Sequence, residues 1–114
     1  MAIRGQMRKG TTTVILLNLL ADLDRPMYGY EIIRELESRS EGYFRFKEGL
    51  IYPRLHELER QGLLRSEWRG EEGSRRRKFY RITDKGRRRL EAELRSWRAF
   101  AENIDRLLGV ERAP

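Results

Sequence analysis

The chain has no cysteine, a single histidine and only three prolines among its 114 residues. Without thiols it can hold neither a disulfide framework nor a thiolate metal site. His56 alone cannot supply a histidine-rich site, and no neighbour in the sequence makes it the base of a nucleophile. There is no Gly-rich phosphate loop, no GxGxxG and no metal-ligand spacing. The carboxylates, for example Glu57, Glu59 and Glu93, are interleaved with arginines in the manner of solvated helix faces. No apolar run approaches the ~20 residues needed to span a bilayer, and the opening MAIRGQMRKG lacks a signal peptide's apolar region. These absences predict a cytoplasmic protein that is not an enzyme, with no catalytic residue, no metal, no cofactor and no membrane contact.

Positive charge is what the chain has in excess. Lys and Arg number 25 against 18 Asp and Glu, giving a net charge of +7 and a pI near 10.2. From Arg75 to Arg89, nine of fifteen residues are basic and only Asp84 is acidic. Charge clustered in this way favours nucleic acid over a generally basic surface.

The stretch Glu48 to Leu64, EGLIYPRLHELERQGLL, organises the rest. Ile51, Leu55 and Leu58 share one face of a helix, while Arg54, Glu57, Arg60 and Gln61 face water or a ligand. Pro53 falls near the first turn, and Gly62 stands where a left-handed residue ends a helix. Leu63 and Leu64 then open an extended, Arg-rich segment. A short helix running into a basic hairpin suits a DNA groove.

Residues 1 to 10 read as a flexible basic arm, with hydroxyls at Thr11 to Thr13 for an N-cap. Val14 to Leu23 form a helix apolar nearly all round, so a partner subunit or a wider core of the chain itself must cover its second face. Asp24, Arg25 and Pro26 break it. A second helix begins near Gly29 and ends in the polar run Ser38 to Gly42. Tyr43, Phe44 and Phe46 make an aromatic connection expected to plug the core. Leu64 to Thr83 alternates with period two around the turn residues Gly70 to Ser74, predicting a β-hairpin whose Trp68, Tyr80 and Ile82 pack on the helices. Arg75, Arg76 and Arg77 line its descending edge as a wing. Thr83 and Asp84 cap a long helix from Lys85 to Leu108, closed by Gly109. Its Leu90, Leu94, Trp97, Ala101, Ile104 and Leu108 recur as a heptad seam that nothing else in so small a domain can cover.

The predicted fold is mainly α with a small β-hairpin: a winged helix-turn-helix domain over residues 1–83, a dimerisation helix over 84–109 and a frayed tail over 110–114. Lys47, Gly49, Leu50, Tyr52 and Arg54 on the third helix and Arg75 to Arg77 on the wing are the expected DNA contacts. Helix N-termini offer N–H groups to phosphate, Gly49 permits close approach, and Arg54 can reach phosphate or a guanine edge. Leu90, Leu94, Trp97, Ile104 and Leu108 are the expected dimer contacts.

The ordered set Tyr28-Gly29-Tyr30-Glu31-Ile32, Ile51-Tyr52-Pro53-Arg54-Leu55, Leu58-Glu59-Arg60-Gln61-Gly62-Leu63 and Arg77-Lys78-Phe79-Tyr80-Arg81-Ile82-Thr83, followed by Gly86, resembles the PadR family of winged-helix transcriptional regulators in its short form with one C-terminal helix. The resemblance covers about residues 9 to 108. It implies a homodimer that binds a palindromic operator in double-stranded DNA, usually as a repressor of nearby genes. Some short members hold flat aromatic ligands between subunits against a Trp of the C-terminal helix. Trp97 stands at the matching place, with Thr13, Leu17 and Asn18 matching the opposing wall. Ala101 stands where a multidrug-binding member can carry an acidic residue, so neutral planar ligands are expected to bind at least as well as cationic ones. Two other classes fit the same basic face: a winged-helix module docking on an acidic protein, and a non-specific nucleic-acid binder.

Overall fold

A computed structural model of the chain describes residues 2–70 and 75–110. The first helix, α1, runs from Ala2 to Leu23. The flexible arm and the cap expected at Thr11 to Thr13 are therefore replaced by a continuous helix: MAIRGQMRKG contains no proline, and isolated glycines weaken a helix by about 1 kcal/mol without breaking it. Thr12 and Thr13 lie inside α1 and are buried. Asp24 ends the helix in the left-handed region (φ 48°), its N–H on the carbonyl of Leu20 at 3.1 Å. Asp is one of the few non-glycine residues that adopts this conformation readily.

Strand β1 (Met27–Tyr28) and helix α2 (Gly29–Arg39) follow, then α3 (Glu48–Arg60), β2 (Leu64–Arg69), β3 (Arg77–Ile82) and α4 (Asp84–Leu108). The hairpin is antiparallel, with Leu64 opposite Ile82, Ser66 opposite Tyr80 and Trp68 opposite Lys78. β1 adds a third strand on the far side of β3, pairing Met27 with Tyr80 and Tyr28 with Phe79. Two residues carry no periodicity, so this strand had no signature in the sequence. The hairpin tip, residues 71–74, and the tail beyond residue 110, expected to be flexible and frayed, lie outside the described residues.

The core gathers Leu16, Leu17, Leu19 and Leu20 of α1 with Ile32, Ile33 and Leu36 of α2, and with Ile51, Leu55 and Leu58 of α3. Tyr80 and Ile82 of the wing and Leu90 of α4 close it. The alternation read in β3 and the stripe read in α3 are thus the faces that fold inward. Pro53 sits inside α3, past the first turn, where it deprives the Gly49 carbonyl of its ladder donor.

The end of α3 and the start of α4 form one joint. Gly62 takes φ 77°, and the N–H groups of Gly62 and Leu63 bond to the carbonyls of Glu59 and Leu58, both at 2.9 Å. This is a Schellman ending, with Leu58 and Leu63 both buried. The Thr83 hydroxyl accepts the N–H of Gly86 at 3.0 Å, capping α4, and shares its own proton between the carbonyls of Gly62 (2.7 Å) and Leu63 (3.0 Å). Lys85 donates to the Gln61 carbonyl at 2.9 Å. Gly86 lies so close that a Cβ there would collide with the Leu63 carbonyl oxygen. Arg87 completes the joint by pairing with Asp24 at 2.7 Å.

The expectation that nothing in the domain covers the α4 seam needs correction. α1, starting at Ala2 instead of near Val14, packs along α4. Leu90 and Ala101 are buried within the chain, and Leu94 packs on its core. Leu108 is 70% exposed, as are Leu107 (83%) and, in part, Trp97 (37%).

Candidate nucleic-acid interface

Lys47 enters α3 in an extended conformation and caps it with its carbonyl alone, accepting from Leu50 and Ile51 at 3.0 and 3.1 Å. Among the described residues no side chain caps this turn. The N–H groups of Glu48 and Gly49 therefore have no intrahelical acceptor. Lys47, Glu48, Gly49 and Leu50 are exposed, and a Cβ on Gly49 would meet nothing within 4 Å. A free, partly positive helix end is thus presented to solvent beside a lysine.

Tyr52 is half-buried, and the reason is Gly29. Any Cβ at Gly29 would collide with the Tyr52 ring, so the glycine at the start of α2 is the seat on which that ring lies. Burial pushes the Tyr52 hydroxyl's pKa up, the nearby Glu48 carboxylate adds to this, and Arg75 opposes it. Arg75 of the wing and Tyr52 of α3 line a common cleft, which brings wing charge close to that helix. Arg54 is also half-buried: its Nε has no hydrogen-bond partner among the described residues.

The wing is tied to α3 by a charged cluster that the sequence did not reveal. Glu59 accepts from Lys78 at 2.9 Å and, through its other oxygen, from the Ser66 hydroxyl. Burial raises the Glu59 carboxyl, but the two hydrogen bonds outweigh it and leave its pKa below the usual value. The same bond to Glu59 raises Lys78. The ammonium also stands 5.4 Å over the Tyr80 ring. In sequence Glu59 reads as a solvated helix residue, because its partners lie on strands whose register only the fold sets.

On the outer face of the sheet, Arg77 lies over the Tyr28 ring at 4.6 Å and Arg69 over Phe79 at 4.9 Å, with Tyr28 and Phe79 meeting edge to face at 5.4 Å. Arg75 and Arg76 are exposed. Arg77 is therefore held on an aromatic face, and with Arg75 and Arg76 it borders the gap between wing and α3. That gap is a cleft of about 780 Å³ whose walls include Tyr30 of α2, Tyr52 and His56 of α3, and Trp68, Arg75 and Arg76 of the wing.

Several aromatic side chains stand elsewhere than expected. Trp68 is 59% exposed. Its strand position faces inward, but beyond the Ser66–Tyr80 pair that face borders the open cleft, and the indole lines it. Tyr43 is 83% exposed and Phe44 is also exposed, while Phe46 alone packs on the core. The connection folds on itself, with the Phe44 N–H bonded to the Ser40 hydroxyl at 3.0 Å. Of the residues matched to a ligand wall, Leu17 is fully buried in the core and Thr13 is buried, so neither presents free surface; Asn18 is exposed. Trp97 lies 6.0 Å from Phe100, and Ala101 one turn on is covered by the chain itself. Among the described residues there is no group of three potential metal ligands, and no helix long and apolar enough to cross a membrane.

The model of the transcriptional regulator PadR-like family matches residues 16–92. Transcriptional regulator Rv3488 of Mycobacterium tuberculosis is 36% identical over 81 residues, covering 71% of this chain and 72% of its own. Among solved structures, a PadR-like transcription factor from Bacteroides fragilis superposes with a TM-score of 0.76 at 30% identity, covering 94% of this chain and 99% of that one. A PadR family transcriptional regulator from Eggerthella lenta gives 0.76 at 32% identity, covering 96% and 92%. Matched in sequence from the first helix into the last and in fold over nearly its whole length, this chain belongs to the PadR-like family of transcriptional regulators, DNA-binding proteins and not enzymes.

Proposed function

We propose that the protein is a homodimer that binds a palindromic operator in double-stranded DNA and represses nearby genes. The observation that carries the reading is the exposed first turn of α3, with no side-chain cap among the described residues and its Glu48 on the same cleft as Arg75 and Arg76 of the wing. In this reading α3 enters the major groove through Lys47, Gly49, Leu50, Tyr52 and Arg54, and the wing neutralises phosphate. Residues 1–83 form the DNA-binding part and 84–109 the dimerisation helix. The apolar end of α4, from Trp97 through Ile104 to Leu107 and Leu108, meets its symmetry mate, and Leu90 and Leu94 stiffen the helix against the core. Two such domains should read half-sites about 34–36 Å apart.

A planar aromatic effector at Trp97 is the means of release in this reading. It would favour one dimer geometry over another, and the joint of Thr83, Lys85 and Gly86 would pass a shift of α4 to the end of α3. Equal affinity of a planar dye for wild type and Trp97→Ala would remove the effector from the proposal.

The test of the main reading is duplex binding across a salt series. One selected sequence should bind at least ~10³-fold tighter than random duplex. Replacing Arg75, Arg76 and Arg77 by Ala should weaken all duplexes and lower the salt slope by about one unit per lost phosphate contact. Indifference to sequence would favour a non-specific binder, and an unchanged slope in the triple variant would remove the wing from the interface.

A further inference from the structure

Trp68 is the largest apolar side chain on the wing, and more than half of it stands in water. No described ring or cation stacks on it. It faces the cleft whose opposite wall carries Tyr52 and His56 of α3, with Arg75 and Arg76 at the wing side. An indole left uncovered beside hydroxyl and guanidinium groups and the single Glu48 carboxylate serves neither the core nor the tie between wing and α3, which the Glu59–Lys78 pair already makes.

The arrangement of grooves says what enters. A helix in the major groove and a hairpin at the adjacent minor groove straddle the one sugar-phosphate strand that separates the two grooves. That strand must pass through the space between α3 and the wing. We propose that the cleft clamps this single strand, with Trp68 packed against deoxyribose while Arg75, Arg76 and the Tyr52 hydroxyl take the flanking phosphates. The proposal rests on the DNA reading above and adds to it a sugar contact and the residue that makes it. Phosphate contacts alone hold a register through charge, and an apolar wall against the sugar adds an affinity that salt does not screen. Trp68 is therefore a positioning residue for DNA that contributes no charge.

Fluorescence tests this directly. In a Trp97→Phe background Trp68 is the only indole left. Its emission should change on saturation with a duplex recovered by selection from a random-sequence library. Trp68→Ala should weaken that duplex roughly ten-fold, an effect typical of truncating a buried aromatic contact, with the salt slope unchanged. Trp68→Phe should recover most of the loss. The Arg75/Arg76 double Ala variant should do the reverse, lowering the slope. Circular dichroism on each variant excludes loss of fold, which an exposed position does not threaten. Silent Trp68 emission at saturation, or wild-type affinity in Trp68→Ala, would overturn the sugar contact and leave the DNA reading intact. A wild-type chain that binds no duplex would overturn both.

Discussion

Lys78 reaches from β3 to donate to Glu59 of α3 at 2.9 Å, and the Ser66 hydroxyl of β2 bonds to the same carboxylate. One side chain of α3 thus holds both strands of the wing. Glu59→Gln should lower stability by about 1 kcal/mol, the scale of a partly exposed ion pair with hydrogen bonds. Duplex affinity should fall further than stability, because the wing loses its fixed angle to α3. The pH dependence has two limbs. Glu59's pKa is depressed in the fold, so its stabilisation is present above the unfolded carboxylate value and is lost as pH falls through the folded one. Lys78's is raised, so its share is full below the unfolded lysine value and is lost as pH rises through the folded one. Denaturation midpoints of wild type minus Glu59→Gln should therefore be flat at neutral pH and shrink at both extremes.

Gly29 and Tyr52 form the second testable contact. Gly29→Ala should cost about 1–3 kcal/mol, as overpacking does, because the Tyr52 ring must leave its seat. Adding Tyr52→Ala should then cost less than it does in wild type, since the clash is gone, and a double-mutant cycle measures that coupling. Additive losses would mean the ring lies elsewhere.

The joint between α3 and α4 predicts a third pair of effects. Thr83→Val removes a helix cap and two hydrogen bonds to carbonyls, and should destabilise by about 1–2 kcal/mol. Gly86→Ala places a methyl group against the Leu63 carbonyl and should cost at least as much, against the usual gain of alanine over glycine in a helix. Chemical denaturation gives both values. A stabilised Gly86→Ala protein would show that the two helices do not meet there.

Assembly supplies the fourth. Leu107 and Leu108 contribute little to the chain's own core, so changing both to Asp should leave helicity intact while light scattering moves from dimer to monomer. The wild-type melting temperature should rise with protein concentration and the double variant's should not. A folded wild-type monomer at micromolar concentration would refute the dimer.

Local chemistry makes much of this molecule legible in its sequence. The buried stripe of Ile51, Leu55 and Leu58, the left-handed Gly62, the Thr83 cap, the inward Tyr80 and Ile82 and the end of α4 at Gly109 all follow from spacings of three, four or two and from the needs of helix ends. Each is set within a few residues, so a linear reading reaches it. What tertiary packing settled involves partners distant in the chain. β1 exists because β3 offers it an edge, and Glu59 is a tether because register brings Lys78 and Ser66 to it. Gly29 matters because of a ring 23 positions away. Trp68 has the alternation of a core residue, yet the space between wing and α3 is open at its position and leaves it exposed in the cleft. Likewise α1 packs along α4, and Ala101, a position whose heptad spacing pointed outward, is buried within the chain. Periodicity says which residues share a face; only the reach of the neighbouring elements decides what that face meets.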